Sequence, residues 1–170
     1  MAYGKKQRNQ YRRRLEGKTD YHRRLRMLKS GIPRAVVRVS NTQITCQLTN
    51  FSKEGDVVVA TFTGHDLNSH GYPEDASKKS VPACYLAGFG LAKKAISNGY
   101  NEAILDIGLS SSSKGSRVFS ALKGMVDAGL EVPHSEDIFP TDERVNGEHI
   151  SDSLSNVLEK TKKTIEGAFK

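Results

Sequence analysis

The residues best suited to chemistry crowd one end of the chain. Arg12, Arg13 and Arg14 stand in a row, Arg23, Arg24 and Arg26 follow closely, and Lys5, Lys6, Arg8, Lys18 and Lys29 fill the gaps. A guanidinium is a planar, permanently charged fork that pairs bidentately with phosphate and stacks on flat rings. Tyr3, Tyr11 and Tyr21 are interleaved and offer stacking surfaces. The first thirty residues hold eleven Lys or Arg against Glu16 and Asp20, a net +9, while the other 140 hold fifteen basic and seventeen acidic groups, a net −2. A near-neutral body with a cationic arm implies a polyanionic partner, and the arginine–tyrosine mixture points to nucleic acid. The bland alternative, a solvated charge run, ordinarily carries neutralising acids, and here they are scarce.

Three other stretches hold polar chemistry. "GLSSSSKGSR" (108–117) joins a predicted strand to a predicted helix, a context in which free amides and the helix dipole face an anion. Its order, Lys114-Gly115-Ser116, is not the Gly-Lys-Ser/Thr of a nucleotide-binding P-loop. Either it is a plain loop or it meets an RNA backbone through Lys114, Arg117 and the serine hydroxyls. "GHDLNSHGYPED" (64–75) contains His65, Asp66, His70, Glu74 and Asp75, but the spacing matches no standard metal site and the turn residues predict a polar loop. Asp106 sits in a buried-strand pattern without the partner carboxylate that two-metal phosphodiester cleavage requires. His22, His134 and His149 have no catalytic partner nearby in sequence. These residues call for no catalytic group, no metal and no cofactor.

The elements that must position the arm are legible in outline. Asp20 is a predicted N-cap, followed by Tyr21, Leu25 and Leu28 at helical spacing and stopped by Ser30-Gly31 and Pro33. Three β-branched runs, 34–40, 43–51 and 56–63, are separated by short turn signals and predict an antiparallel meander. Alternation puts Arg34, Val36, Arg38 and Ser40 on one face, expected to be exposed, and Ala35, Val37 and Val39 on the other. A buried helix over 80–99, a strand over 102–108, a helix over 115–129 and a short last strand at 130–132 follow. That order predicts an α/β fold, a mixed sheet sandwiched by helices. Residues 133–149 read as an irregular connection, and Leu154, Val157, Leu158, Thr161 and Ile165 mark a final helix over 151–169. The expected organisation is an RNA-binding arm and short helix (1–31), an α/β core (32–132) and a C-terminal helical extension (133–170). Cys46 and Cys84 form no CxxC pair, and no apolar run reaches the roughly 18 residues of a membrane span, so a reducing, cytoplasmic setting without membrane contact is expected.

Taken together, "RRRLEGKTDYHRRLRMLKSGIPRAVVRVSN", "CYLAGFGLAKKAI", "ILDIGL", "SRVFSALKGMVDAGLEVPHSEDIFP" and "ERVNGEHI" resemble the large-subunit ribosomal protein L-eighteen family in its archaeal type, which is similar to eukaryotic ribosomal protein L-five. The blocks keep the family's order over nearly the whole chain. The resemblance implies a three-layer α/β/α mixed sheet of the translational-machinery, ribonuclease-H-like type. It implies a structural binder of 5S rRNA in the central protuberance, with large-subunit 23S-type rRNA and neighbouring ribosomal proteins as further partners. By the family's pattern the arm (Lys5, Lys6, Arg8, Tyr11, Arg12, Arg13, Arg14), then Lys18, Thr19, Asp20, Tyr21, Arg23, Arg24 and Arg26, lie along RNA. Arg34, Arg38, Ser40 and Asn41 of the sheet and the loop from Lys114 to Arg117 complete the implied contacts. Two rivals stand beside this reading: a metal-dependent nuclease of the same fold, and a protein-interaction module whose arm binds acidic proteins.

Overall fold

The computed structural model describes residues 4, 6, 8–151 and 153–169. In chain order its elements are α1 (Arg12–Leu15), α2 (Tyr21–Leu28), β1 (Arg34–Val39), β2 (Ile44–Asn50), β3 (Val57–Thr63), α3 (Asp66–Ser69), α4 (Val81–Ser97), β4 (Ile104–Asp106), α5 (Arg117–Asp127), α6 (Asp142–Asn146) and α7 (Ser153–Ala168). The strands form a mixed sheet in the order β3-β2-β1-β4, with β1–β2 and β2–β3 antiparallel and β1–β4 parallel. The predicted meander and the α/β class are therefore present. The last predicted strand is reduced to one parallel bridge, Glu131 to Glu102, because Pro133 ends the run of available donors.

One sheet face makes the core. Ala35, Val37, Ile44, Cys46, Leu48, Ala60 and Phe62 are buried there, and α4 packs across β2 and β3. α4 is buried nearly all round because the sheet, α5 and α7 surround it. Its start is set by Ser80, whose Oγ accepts from the Ala83 amide at 3.4 Å, with Pro82 in the first turn. The α4–α5 crossing depends on two glycines: a Cβ on Gly88 would collide with the Ala121 carbonyl, and one on Gly124 with the Tyr85 carbonyl. Backbones come this close only where the side chain is a hydrogen.

The C-terminal helix belongs to the same core. Leu154, Leu158, Thr161 and Ile165 are buried, α7 packs on α4, and Phe169 meets Phe62 edge-on at 6.4 Å. Lys162 fastens it further, with Nζ 3.2 Å from the Tyr85 hydroxyl and 4.9 Å from the centre of the Phe89 ring. The stretch expected to be irregular contains a 3-10 turn at Glu136–Ile138 and the short α6, which Gly147 closes at φ 81°.

Candidate nucleic-acid interface

The second sheet face is polar, as alternation requires, but it is not bare. Arg34, Val36 and Arg38 of β1 share it with Thr45, Gln47 and Thr49 of β2 and with Asp106 of β4, whose register partner on β1 is Val36. Asp106 stands between the two arginines. Its Oδ2 accepts from Arg34 Nη1 at 2.7 Å, and its Oδ1 accepts from Arg38 Nη2 at 3.0 Å and from the Gly108 amide at 2.9 Å. Asp56, just before β3, accepts from Arg34 Nη2 at 2.5 Å and from Arg24 Nη2 at 2.8 Å. The result is a continuous ladder, Arg24–Asp56–Arg34–Asp106–Arg38.

This ladder corrects the expected exposure of Arg34. Its side chain is 3% exposed, against 46% for Arg38. Two carboxylates neutralise the buried guanidinium, which is what burial of a charge demands. Burial pushes both carboxylates up, but the arginines outweigh it: Arg38 and Arg34 hold Asp106 below its ordinary value, and Arg24 and Arg34 do the same for Asp56. Asp106 is thus committed to arginine and an amide, which leaves a nuclease reading no free ligand at that position.

The ladder also docks α2. Arg24 ties the helix to the hairpin before β3, and Arg23 Nη1 donates to the Gly108 carbonyl at 2.8 Å beyond β4. Asp20 caps the helix, its Oδ1 accepting from the amides of His22 (3.0 Å) and Arg23 (3.1 Å), and those bonds hold its carboxyl below the usual range. Between α2 and the polar sheet face lies a cleft of about 1010 Å³. Arg13, Lys18, Thr19, Asp20, Tyr21, Arg23, Arg24, Arg34 and Arg38 line it, so the structure gathers these expected site residues in one place.

The described part of the arm folds back on this cleft through α1, a helix the sequence does not predict because it buries nothing. Arg13 Nε donates to Thr19 Oγ1 at 2.9 Å, and the Tyr11 and Tyr21 rings lie 5.1 Å apart. Arg12 and Lys18 both meet Glu16 at 2.8 Å. Lys6, Arg8, Arg14 and Arg26 are exposed, and Lys5 lies outside the described residues. Ser40 and Asn41 form the β1–β2 turn, where Ser40 Oγ accepts from the Gln43 amide at 3.1 Å and the Asn41 carbonyl accepts from Lys79 Nζ at 2.6 Å. Lys114 and Arg117 are exposed but do not line the cleft; they stand further along the loop and at the start of α5.

Comparison with known proteins shows the family to which the chain belongs. The model of the family described as "Ribosomal large subunit proteins 60S L5, and 50S L18" matches residues 5–102 and 97–135. The large ribosomal subunit protein uL18 of Methanothrix thermoacetophila is 49% identical over 152 residues, 89% of each chain. Its counterpart in Methanoculleus marisnigri is also 49% identical, over 89% of this chain and 86% of the relative. That of Methanococcoides burtonii is 41% identical over 99% of both chains. This chain belongs to the uL18 family.

The uL18 family is one of large-subunit ribosomal proteins, and the mixed α/β sheet found here is in keeping with it. Sequence reasoning had the arginines but missed their carboxylate partners, Asp56 and Asp106, and missed Gln47 and Thr49 on the cleft wall. Asp106 stood out only as a lone carboxylate; as the single charge in the apolar run "AILDIG" it called for a cationic partner, which the neighbouring two-arginine strand supplies. Asp56 carried no such signal, since it stands in the polar turn just before β3. Among the described residues no helix is long and apolar enough to cross a membrane.

Proposed function

We propose that this protein is a structural constituent of the large ribosomal subunit that binds 5S rRNA and helps anchor it in the central protuberance. The observation that carries the proposal is the division of labour among the arginines. Arg34 is buried and neutralised, so it builds the platform, while Arg13, Arg14, Arg23 and Arg26 stand exposed on the arm and α2 above it. Phosphates approaching that surface meet many cations and few acids, and counterion release drives the association. RNA gripped this way is recognised by shape and backbone as much as by base edges.

Within this reading the arm and α2 (1–31) grip the RNA, the core (32–132) presents the rigid sheet, and residues 133–170 face neighbouring ribosomal proteins and 23S-type rRNA. The uL18 names of the relatives support the ribosomal setting. The test is a salt titration of binding to 5S rRNA beside a transfer RNA of similar charge. Tighter binding to 5S rRNA, with a slope of log K against log salt that reports several phosphates, is the expected result. Equal affinity for both RNAs would refute it.

A further inference from the structure

The cleft beneath α2 offers more than positive charge. Part of its wall is apolar, with Met27 on α2 and Val36 and Val58 on the sheet. Gln47 of β2, the register partner of Val36, lines the same space. Its amide makes one hydrogen bond among the described residues, a long one of 3.4 Å from Nε2 to Thr61 Oγ1. A carboxamide presents an acceptor and a donor side by side, the complement of the paired edge of a nucleobase. Arg13, Lys18 and Arg23 line the cleft as well and are exposed, so cations stand where a sugar-phosphate chain would pass. The volume, about 1010 Å³, is at the top of the roughly 300–1,000 Å³ in which small ligands are held.

We propose that the cleft between α2 and the sheet receives one unpaired nucleobase of the bound RNA, with Gln47 reading its edge. The inference rests on the RNA-binding role proposed above and adds a reading site to it. The Arg24–Asp56 ion pair and the hydrogen bond from Arg23 to the Gly108 carbonyl fix α2 above the sheet, so the slot exists before RNA arrives. Bases inside a duplex are out of reach of such a slot, whereas bases of loops and bulges can be turned out and bound between side chains. A free mononucleotide is a poorer occupant, because it lacks the flanking phosphates that the arginines of the arm and α2 neutralise. Gln47 is half-buried on the face away from the core, so its replacement leaves the packing of Cys46 and Leu48 intact.

The experiment uses the full chain and a 5S rRNA transcript. Chemical probing of base edges is combined with equilibrium binding across a salt series, for the parent protein, Gln47→Leu, Gln47→Glu and Arg13→Ala. The parent should protect the edge of at least one unpaired base. Gln47→Leu should lose that protection and bind on the order of 10-fold more weakly, with the salt slope unchanged. Gln47→Glu, which keeps the shape but no donor, should also lose it, and a circular dichroism spectrum and urea midpoint matching the parent's show that both Gln47 variants are folded. Arg13→Ala should lower the slope and keep the protection. If both Gln47 variants protect and bind as the parent does, the reading site is refuted while RNA binding stands. If the parent itself ignores 5S rRNA, the underlying role fails and this inference with it.

Discussion

Arg34 and Asp106 form a buried ion pair across the parallel β1–β4 junction, 2.7 Å from Nη1 to Oδ2, with the two side chains 3% and 6% exposed. Desolvating two charges is costly, and the pair is tolerable because Asp56 and Arg38 extend it and the Gly108 amide adds a donor. The same arrangement turns two residues of identical type, four positions apart on one strand face, into different devices. Arg34 holds the sheet together; Arg38 has a side chain that still reaches solvent.

Arg34→Ala is therefore expected to destabilise the fold by about 3–5 kcal/mol, the usual cost of stranding one member of a buried pair. Arg38→Ala should cost about 1 kcal/mol or less, as for an exposed pair, while weakening RNA binding. Urea denaturation of both variants separates the two roles. Equal midpoints would mean that the buried pair does not hold β1 to β4.

Acid should reveal the ladder directly. Asp106 and Asp56 both have carboxyls held below their ordinary value of 3.8, so protons bind them more weakly in the folded chain than in the unfolded one. The stability they contribute is complete above that ordinary value and drains away as pH falls through the lowered one. Melting temperature should fall steeply below about pH 4, and Asp106→Asn should flatten that fall while lowering the plateau at neutral pH. An unchanged acid limb in Asp106→Asn would remove Asp106 from the account.

Removing residues 1–19 deletes seven Lys or Arg and one Glu. No residue of α1 is buried, so the truncated body should unfold at nearly the same denaturant concentration as the parent. Affinity for 5S rRNA should fall strongly, and the salt slope should shrink by about 0.7–0.9 for each phosphate that is no longer neutralised. A truncated chain that binds as tightly as the parent would show that α2 alone carries the grip.

Gly88→Ala tests the helix crossing. The added methyl has no space against the Ala121 carbonyl, so α4 and α5 must separate. A loss of about 1–3 kcal/mol is expected, typical of overpacking, with RNA affinity kept under conditions where the variant stays folded. Gly167→Ala, where nothing lies near the added atom, should be neutral or slightly stabilising.

The fold was largely written in local signals. Asp20 and Ser80 announced two helix starts through their capping side chains, and β-branched alternation separated Ala35 and Val37 from Arg34 and Arg38. What alternation reports is which face a residue occupies, not whether that face is covered. Arg34 looked solvent-exposed because its cover comes from Asp56 and Asp106, 22 and 72 positions away. The cleft was hidden for the same reason: Met27 and Gln47 meet it only because two arginine contacts set α2 over the sheet. α1 escaped notice because it has no apolar stripe to bury.

The burial of Ile165 and the contact of Phe169 with Phe62 have a consequence for biosynthesis. The strip of α4 that α7 covers stays bare until α7 itself has been made, so the nascent body is unfinished while the sheet and the arginine-rich segment are already synthesised. The arginine-rich segment is thus made before the helix that completes the core, an order that, on the RNA-binding role proposed above, favours partner capture before the body has locked.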